Sequence, residues 1–153
     1  MSTPTTTSLT DKNLDAALAT VQTEIGRTDG KSSLLLAFNG ATLAGLAALA
    51  GQPLPMPARV LGSMAVTALG AATVLLLLVV RPRLGGQDRA SFPYWARLAE
   101  TQIHACMHGD TRAARIRILS HIALAKFSRL RRAVDCILTA LALLALAAIS
   151  AAL

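Results

Sequence analysis

The sequence predicts an all-α integral membrane protein, with about three transmembrane helices and a cytoplasmic helical stalk or bundle. Three observations carry this. Hydrophobic residues make up 54% of the 153 positions while aromatics make up only 3%, a balance typical of lipid-facing helices built from Leu, Ala, Val and Ile rather than of a soluble core. Three apolar runs, at residues 34–50, 60–80 and 134–153, meet the length of about 17 to 25 helical residues that crosses a bilayer core. The basic residues, finally, fall almost entirely on one side of those runs.

Taken in order, residues 1–10 form a Ser/Thr/Pro tail expected to be disordered. Ser8 or Thr10 is positioned to cap a helix over residues 11–33, with Asp11 at its positive N-terminal end. Leu14, Leu18, Val21 and Ile25 give that helix one apolar stripe, which calls for a partner helix. The first span, 34–50, is the shortest and contains Asn39; a buried soluble helix is its alternative reading. Gly26 and Gly30 are candidate bends between the two segments. Residues 51–59 include three prolines and read as a tight external hairpin turn before the second span, 60–80.

Residues 81–133 form the main cytoplasmic segment. Arg81-Pro82-Arg83-Leu84-Gly85-Gly86 ends the second span and turns the chain. Tyr94 and Trp95 suit either a membrane interface or the cap of a cytoplasmic core. One helix is expected from Phe92 to Met107 and another from near Thr111, with Ile116, Leu119, Ile122, Ala123, Phe127 and Leu130 on one face. No Pro or Gly separates that second helix from the third span, 134–153, so a single continuous rod is expected.

The formal charge of +7 invites a nucleic-acid reading, because basic stripes bind phosphate backbones. Charge location answers it. With the N-terminus in the cytoplasm, fourteen of the 15 Lys and Arg residues lie inside and only Arg59 lies outside, which satisfies the positive-inside rule. The C-terminus then falls outside. No basic patch interleaved with stacking aromatics remains, so no nucleic-acid partner is expected. The first 30 or so residues lack the apolar core of a signal peptide, and Cys106 and Cys136 read as free thiols in a reducing compartment.

Motifs that carry chemistry are sparse. Gly26-Arg27-Thr28-Asp29-Gly30-Lys31-Ser32 has three residues between the first Gly and Gly-Lys, whereas a P-loop needs four and a preceding strand. His104, Cys106 and His108 put two imidazoles on one helical face with Cys106 pointing elsewhere; a closed zinc site needs two further ligands, so no metal is expected. The acidic residues are scattered, several within one turn of a basic residue, as Asp135 is to Arg131 and Arg132; surface ion pairing accounts for them. No nucleophile, base and orienting group come together, so no enzyme and no cofactor are expected. Small residues recur every fourth position at Ala37/Ala41/Gly45, Gly40/Ala44/Ala48 and Ser63/Thr67/Ala71, rows that let helices approach closely in lipid or that arise by chance in Ala-rich spans. Asn39 is an intramembrane polar residue expected to face another helix or a water-filled path.

The run GRTDGKSSLLLAFNGA at residues 26–41 resembles the membrane effectors of the Pycsar anti-phage system. The Pro-rich hairpin, the Arg-Pro-Arg-Leu after the second span and ILSHIALAKFSRLRRAV before the last apolar helix agree with it. The resemblance covers residue 14 to the C-terminus. It implies an effector in the bacterial inner membrane that senses cyclic CMP or cyclic UMP and impairs that membrane, with a cyclic pyrimidine nucleotide, the lipid bilayer and further copies of the chain as partners. A cyclic phosphate needs cationic or backbone donors. The candidates are Arg27 and Lys31 at the first junction and Arg112, Arg115 and Lys126 on the second stalk helix; solvated or snorkelling side chains are the plainer reading of each. The alternative function is a non-enzymatic membrane scaffold or accessory subunit that docks a partner protein through its cytoplasmic helices.

Overall fold

The computed structural model describes residues 6–82, 91–106 and 109–152. Their secondary structure is entirely helical: α1 (Thr6–Ala48), α2 (Met56–Val80), α3 (Phe92–Trp95), α4 (Glu100–Cys106) and α5 (Arg112–Ala152). The chain forms two compact units, one from Met1–Arg27 and Pro82–Ala125, the other from Thr28–Arg81 and Lys126–Leu153.

Helix α1 runs unbroken for 43 residues. It begins at Thr6, so residues 6–10 are helical rather than part of a disordered tail, and neither Ser8 nor Thr10 is a cap; residues 1–5 lie outside the described residues. Gly26 and Gly30 do not end it: neither has a positive φ, and both are exposed. Five of its hydroxyls bond within the helix. Thr20, Thr23, Ser32, Ser33 and Thr42 each donate to the carbonyl four residues back, at 2.8–3.0 Å, which satisfies these hydroxyls without a partner outside α1.

The hairpin is shorter than residues 51–59. Amides of Leu49, Ala50 and Gln52 bond to carbonyls three residues earlier, and α2 already starts at Met56 behind Pro55, with a proline in its first turn, where the missing N–H costs nothing.

The second unit is held by three stripes with alternating spacings of four and three. On α2 the buried residues are Ala58, Ala65, Leu69, Ala72, Leu76 and Val79. On α5 they are Ala133, Ile137 and Ala140. On α1 they are Thr28, Ser32 and Asn39, continued by the half-buried Leu35, Leu36, Leu43 and Leu46. One cluster packs Ala72, Leu76, Ala133 and Ile137 against Leu35 and Leu36. The next packs Ala65, Leu69 and Ala140 against Leu43 and Leu46. Alanine on one helix facing leucine on its neighbour allows close approach with full contact. The small-residue rows singled out in the sequence are not the ones that pack. Ala37, Ala41 and Gly45, Gly40, Ala44 and Ala48, and Ser63, Thr67 and Ala71 are all exposed. A seven-residue alanine repeat is used instead of a four-residue one.

Among the described residues two helices, not three, have the length and composition of a bilayer span: α2 and α5. Only 28% and 22% of their most apolar windows are buried, leaving most of each surface for an apolar surrounding. Helix α1 falls short because Asn39 interrupts its apolar stretch and Lys31, Ser32 and Ser33 bound it closely.

In the first unit, the helix expected from Phe92 to Met107 is two helices, α3 and α4, separated by residues 96–99. The second is capped locally: Gln102 Oε1 accepts from the Ala99 amide at 3.1 Å, the reaching-back half of a capping box. Met107, His108 and Arg83 to Gly86 lie outside the described residues. Helix α5 then runs for 41 residues through the junction where no Pro or Gly interrupts the sequence.

Candidate functional site

In the first unit the candidate site is built at the N-terminus of α5. Asp110 precedes the helix, and its Oδ1 accepts from the Arg112 amide at 3.0 Å. A carboxylate suits this end, where amides lack intrahelical partners. The Arg112 side chain turns back onto the same carboxylate, with Nε donating to Oδ1 and Nη2 to Oδ2, each at 3.0 Å. Its Nη1 also donates to Asp15 Oδ1 at 3.0 Å and to the Asp11 carbonyl at 3.3 Å, and Nη2 meets the Asp11 carboxylate. One guanidinium thus ties three carboxylates, two of them on the first turns of α1. Hydrogen bonds from Arg112 hold the Asp110 carboxyl below the usual carboxylate range. The same bonds from Asp110, Asp15 and Asp11 raise Arg112 further above its ordinary value.

One turn along α5, the Arg115 guanidinium lies over the Trp95 ring at 5.7 Å from its centroid, a cation–π distance. Trp95 and its neighbour Tyr94 are half-buried on α3. A planar cation beside an indole offers both a phosphate donor and a stacking face. Arg27, on α1, is engaged locally by Glu24 at 3.0 Å, both side chains exposed.

In the second unit Lys126 donates to both oxygens of Asp29, at 2.6 and 2.8 Å. This pair is partly shielded, with the lysine side chain 16% and the aspartate 39% exposed. It joins α1 to α5 beside the buried Thr28 and one turn before the buried Ser32. Lys31 is exposed.

Deeper along the same helices Asn39 is completely buried. Its Nδ2 donates to the Leu69 carbonyl at 2.8 Å and to Thr73 Oγ1 at 2.6 Å, while the Thr73 hydroxyl donates to the same carbonyl at 2.9 Å. The amide clamps α1 to α2. Its Oδ1 has no hydrogen-bond partner among the described residues.

Of the five cations singled out in the sequence, Arg27, Arg112 and Arg115 lie in the first unit and Lys31 and Lys126 in the second. Within the first unit Arg112 and Arg115 are one turn apart. The sequence reading missed their partners. Asp11 and Asp15 are about a hundred residues from Arg112, and Asp29 is 97 from Lys126, separations at which no local spacing rule operates. Asp135, expected to pair with Arg131 or Arg132, makes no ion pair among the described residues; only its backbone carbonyl is engaged, by Thr139 at 2.8 Å. Cys106 and Cys136 are both free. His104 is exposed, His108 lies outside the described residues, and no group of three or more His, Cys, Asp or Glu side chains placed to hold a metal ion is found among those described.

Comparison with known proteins agrees with the resemblance seen in the sequence. No curated protein and no solved structure gives a significant match. The family model described as PycTM, Pycsar effector protein domain, matches residues 13–153, so it takes in α2, α5 and nearly all of α1. The chain belongs to the Pycsar effector family, and is an anti-phage effector with a transmembrane domain.

Proposed function

We propose that this effector senses cyclic CMP or cyclic UMP from the cytoplasmic face of the bacterial inner membrane and, as a homo-oligomer, impairs that membrane. The observation that carries the reading is the match to the Pycsar effector domain over residues 13–153. The helical pattern supports it: α1 and α5 each begin in a polar sequence and continue without a break into an apolar one. A ligand that favours one packing of the polar halves would bias the apolar halves through those helices, provided it binds the active arrangement more tightly than the resting one.

Arg115 with Trp95 is the strongest candidate for the ligand, the guanidinium for the cyclic phosphate and the indole for the pyrimidine. At Arg112 and Lys126 a phosphate would have to displace carboxylates already in place, so these act as competed contacts. Arg27, in the same unit as Arg115, is exposed but already held by Glu24, and the exposed Lys31 belongs to the second unit. The protein acts by binding, without catalysis. On this reading the less apolar residues 34–50 of α1 cross the bilayer beside α2 and α5, and the Lys and Arg distribution then puts the N-terminus and residues 81–133 in the cytoplasm and the C-terminus outside.

The same neutralised cations favour a second reading, a membrane scaffold that docks a partner protein through its helices. Calorimetry of the full chain in detergent, titrated with cyclic UMP, cyclic CMP and cyclic AMP, separates the two. Heat from either pyrimidine nucleotide, lost in Arg115→Ala and Trp95→Ala, supports sensing. No heat from any of the three, together with a stoichiometric co-purifying protein, supports the scaffold.

A further inference from the structure

The buried stripe of α5 accounts for Ala133, Ile137 and Ala140. The opposite face is a second stripe with the same alternation of four and three: Arg131, Asp135, Leu138, Ala142, Ala145 and Ile149, all exposed. Leu138 and Ile149 are 59% and 58% exposed. Such a face on a membrane helix normally meets lipid, and five of these six residues fit that, with Arg131 able to snorkel to the surface. Asp135 does not.

Its depth follows from the packing. Ala133 and Ile137 lie in one cluster with Ala72 and Leu76, so Asp135, midway between them, is level with residue 74 of α2. Arg81, at the end of α2, is seven residues further toward the cytoplasm, roughly 10 Å at the helical rise. Nine residues separate Asp135 from Lys126, whose pair with Asp29 marks the polar end of this unit. Asp135 therefore sits inside the apolar layer on the outer face of its own helix. An ionised carboxylate facing hydrocarbon is costly, and intramembrane carboxylates face protein or water and have a partner. The expected intrahelical partners do not take it. Arg131 and Arg132 precede Asp135 by four and three residues, the less favourable order for a helical ion pair, and neither pairs with it among the described residues.

We infer that the Asp135 face of α5 is an interface with a second copy of this chain, in which the carboxylate accepts from Arg131 or Arg132 of that copy. The choice of occupant rests on charge complementarity and orientation. Copies inserted the same way round place their α5 helices parallel. The face carries its cations one turn from its anion, so it complements itself, and its 3.5-residue average spacing is that of parallel helices in a left-handed pair. Below Asp135 the stripe narrows to Ala142 and Ala145, which lets backbones approach. This deepens the homo-oligomer reading above and rests on it.

The test is disulfide trapping in membranes with the full-length chain carrying Cys106→Ser and Cys136→Ser. Leu138→Cys and Ala142→Cys probe the proposed face; Val66→Cys, on the exposed face of α2, is the control. Under a membrane-permeant oxidant, both α5 variants are expected to form covalent dimers and the α2 variant is not. Adding Asp135→Leu to Leu138→Cys is expected to abolish most of the trapping, and Asp135→Asn to retain more of it. Trapping unaffected by Asp135→Leu, equal trapping at all three positions, or trapping at Val66→Cys alone would each overturn the inference. Native mass spectrometry of the wild-type chain separates the remaining case. An oligomer that traps at neither α5 position overturns this interface and leaves the homo-oligomer reading standing, whereas a monomer overturns both.

Discussion

Asn39 and Asp110 show how single side chains set the strength of this fold. Asn39 gives two hydrogen bonds to α2, yet its Oδ1, in an apolar setting, has no partner among the described residues, so the gain and the desolvation cost oppose one another. Its coupling to Thr73 is accordingly expected to be modest, about 0.6 kcal/mol, the usual size for a hydrogen bond between membrane helices. A double-mutant cycle of Asn39→Ala and Thr73→Val, read by unfolding in SDS, measures it, and a coupling near zero would remove the clamp from the account. Asp110 carries a pH dependence. Its folded carboxyl titrates below the ordinary value of 3.8 because Arg112 bonds to it, so it stabilises the start of α5 above about pH 4 and that contribution disappears as pH falls through the lowered value. The amide protection factor of Arg112 is expected to drop in that acid range in the wild type. In Asp110→Asn it is expected to be lower at neutral pH and to fall less across the same range, Asp11 and Asp15 still being paired with Arg112.

At the scale of elements, the length of α1 and α5 is the distinctive feature. Gly26 and Gly30 are exposed inside α1, with open space where a Cβ would sit, so each glycine costs helix stability without a turn that requires it. Gly26→Ala and Gly30→Ala are each expected to stabilise the folded chain by about 0.5–1 kcal/mol, read as a higher midpoint in thermal circular dichroism. A loss of stability would mean that α1 bends at these points in the folded protein. The same elements show what the sequence makes legible. The continuity of α5 could be read directly, because from residue 111 to the end nothing breaks a helix. The start of α1 could not, since Ser8 and Thr10 suit a cap as well as they suit an interior turn. The break between α3 and α4 was hidden for a similar reason: residues 96–99 contain good helix formers, and only the Gln102 side chain reveals the cap. The candidate cations were legible as residue types, but Asp11, Asp15 and Asp29 beside them were not, because folding alone brings those distant positions together.

At the scale of the whole molecule, charge and family membership point the same way, and hydropathy marks α2 and α5 as spans among the described residues. If residues 34–50 of α1 cross the bilayer with α2 and α5, the fourteen-to-one division of Lys and Arg predicts that Gln52→Cys, in the hairpin, reacts with an impermeant maleimide added to intact spheroplasts while Cys106 does not. Labelling of Cys106 from outside would invert the topology. The central claim is that a cyclic pyrimidine nucleotide makes this Pycsar effector impair a membrane. Its most direct test is release of a small dye from liposomes containing only the purified chain. Rapid release on adding cyclic UMP or cyclic CMP, with none on adding cyclic AMP, is the predicted result. Intact liposomes under both pyrimidine nucleotides would contradict it.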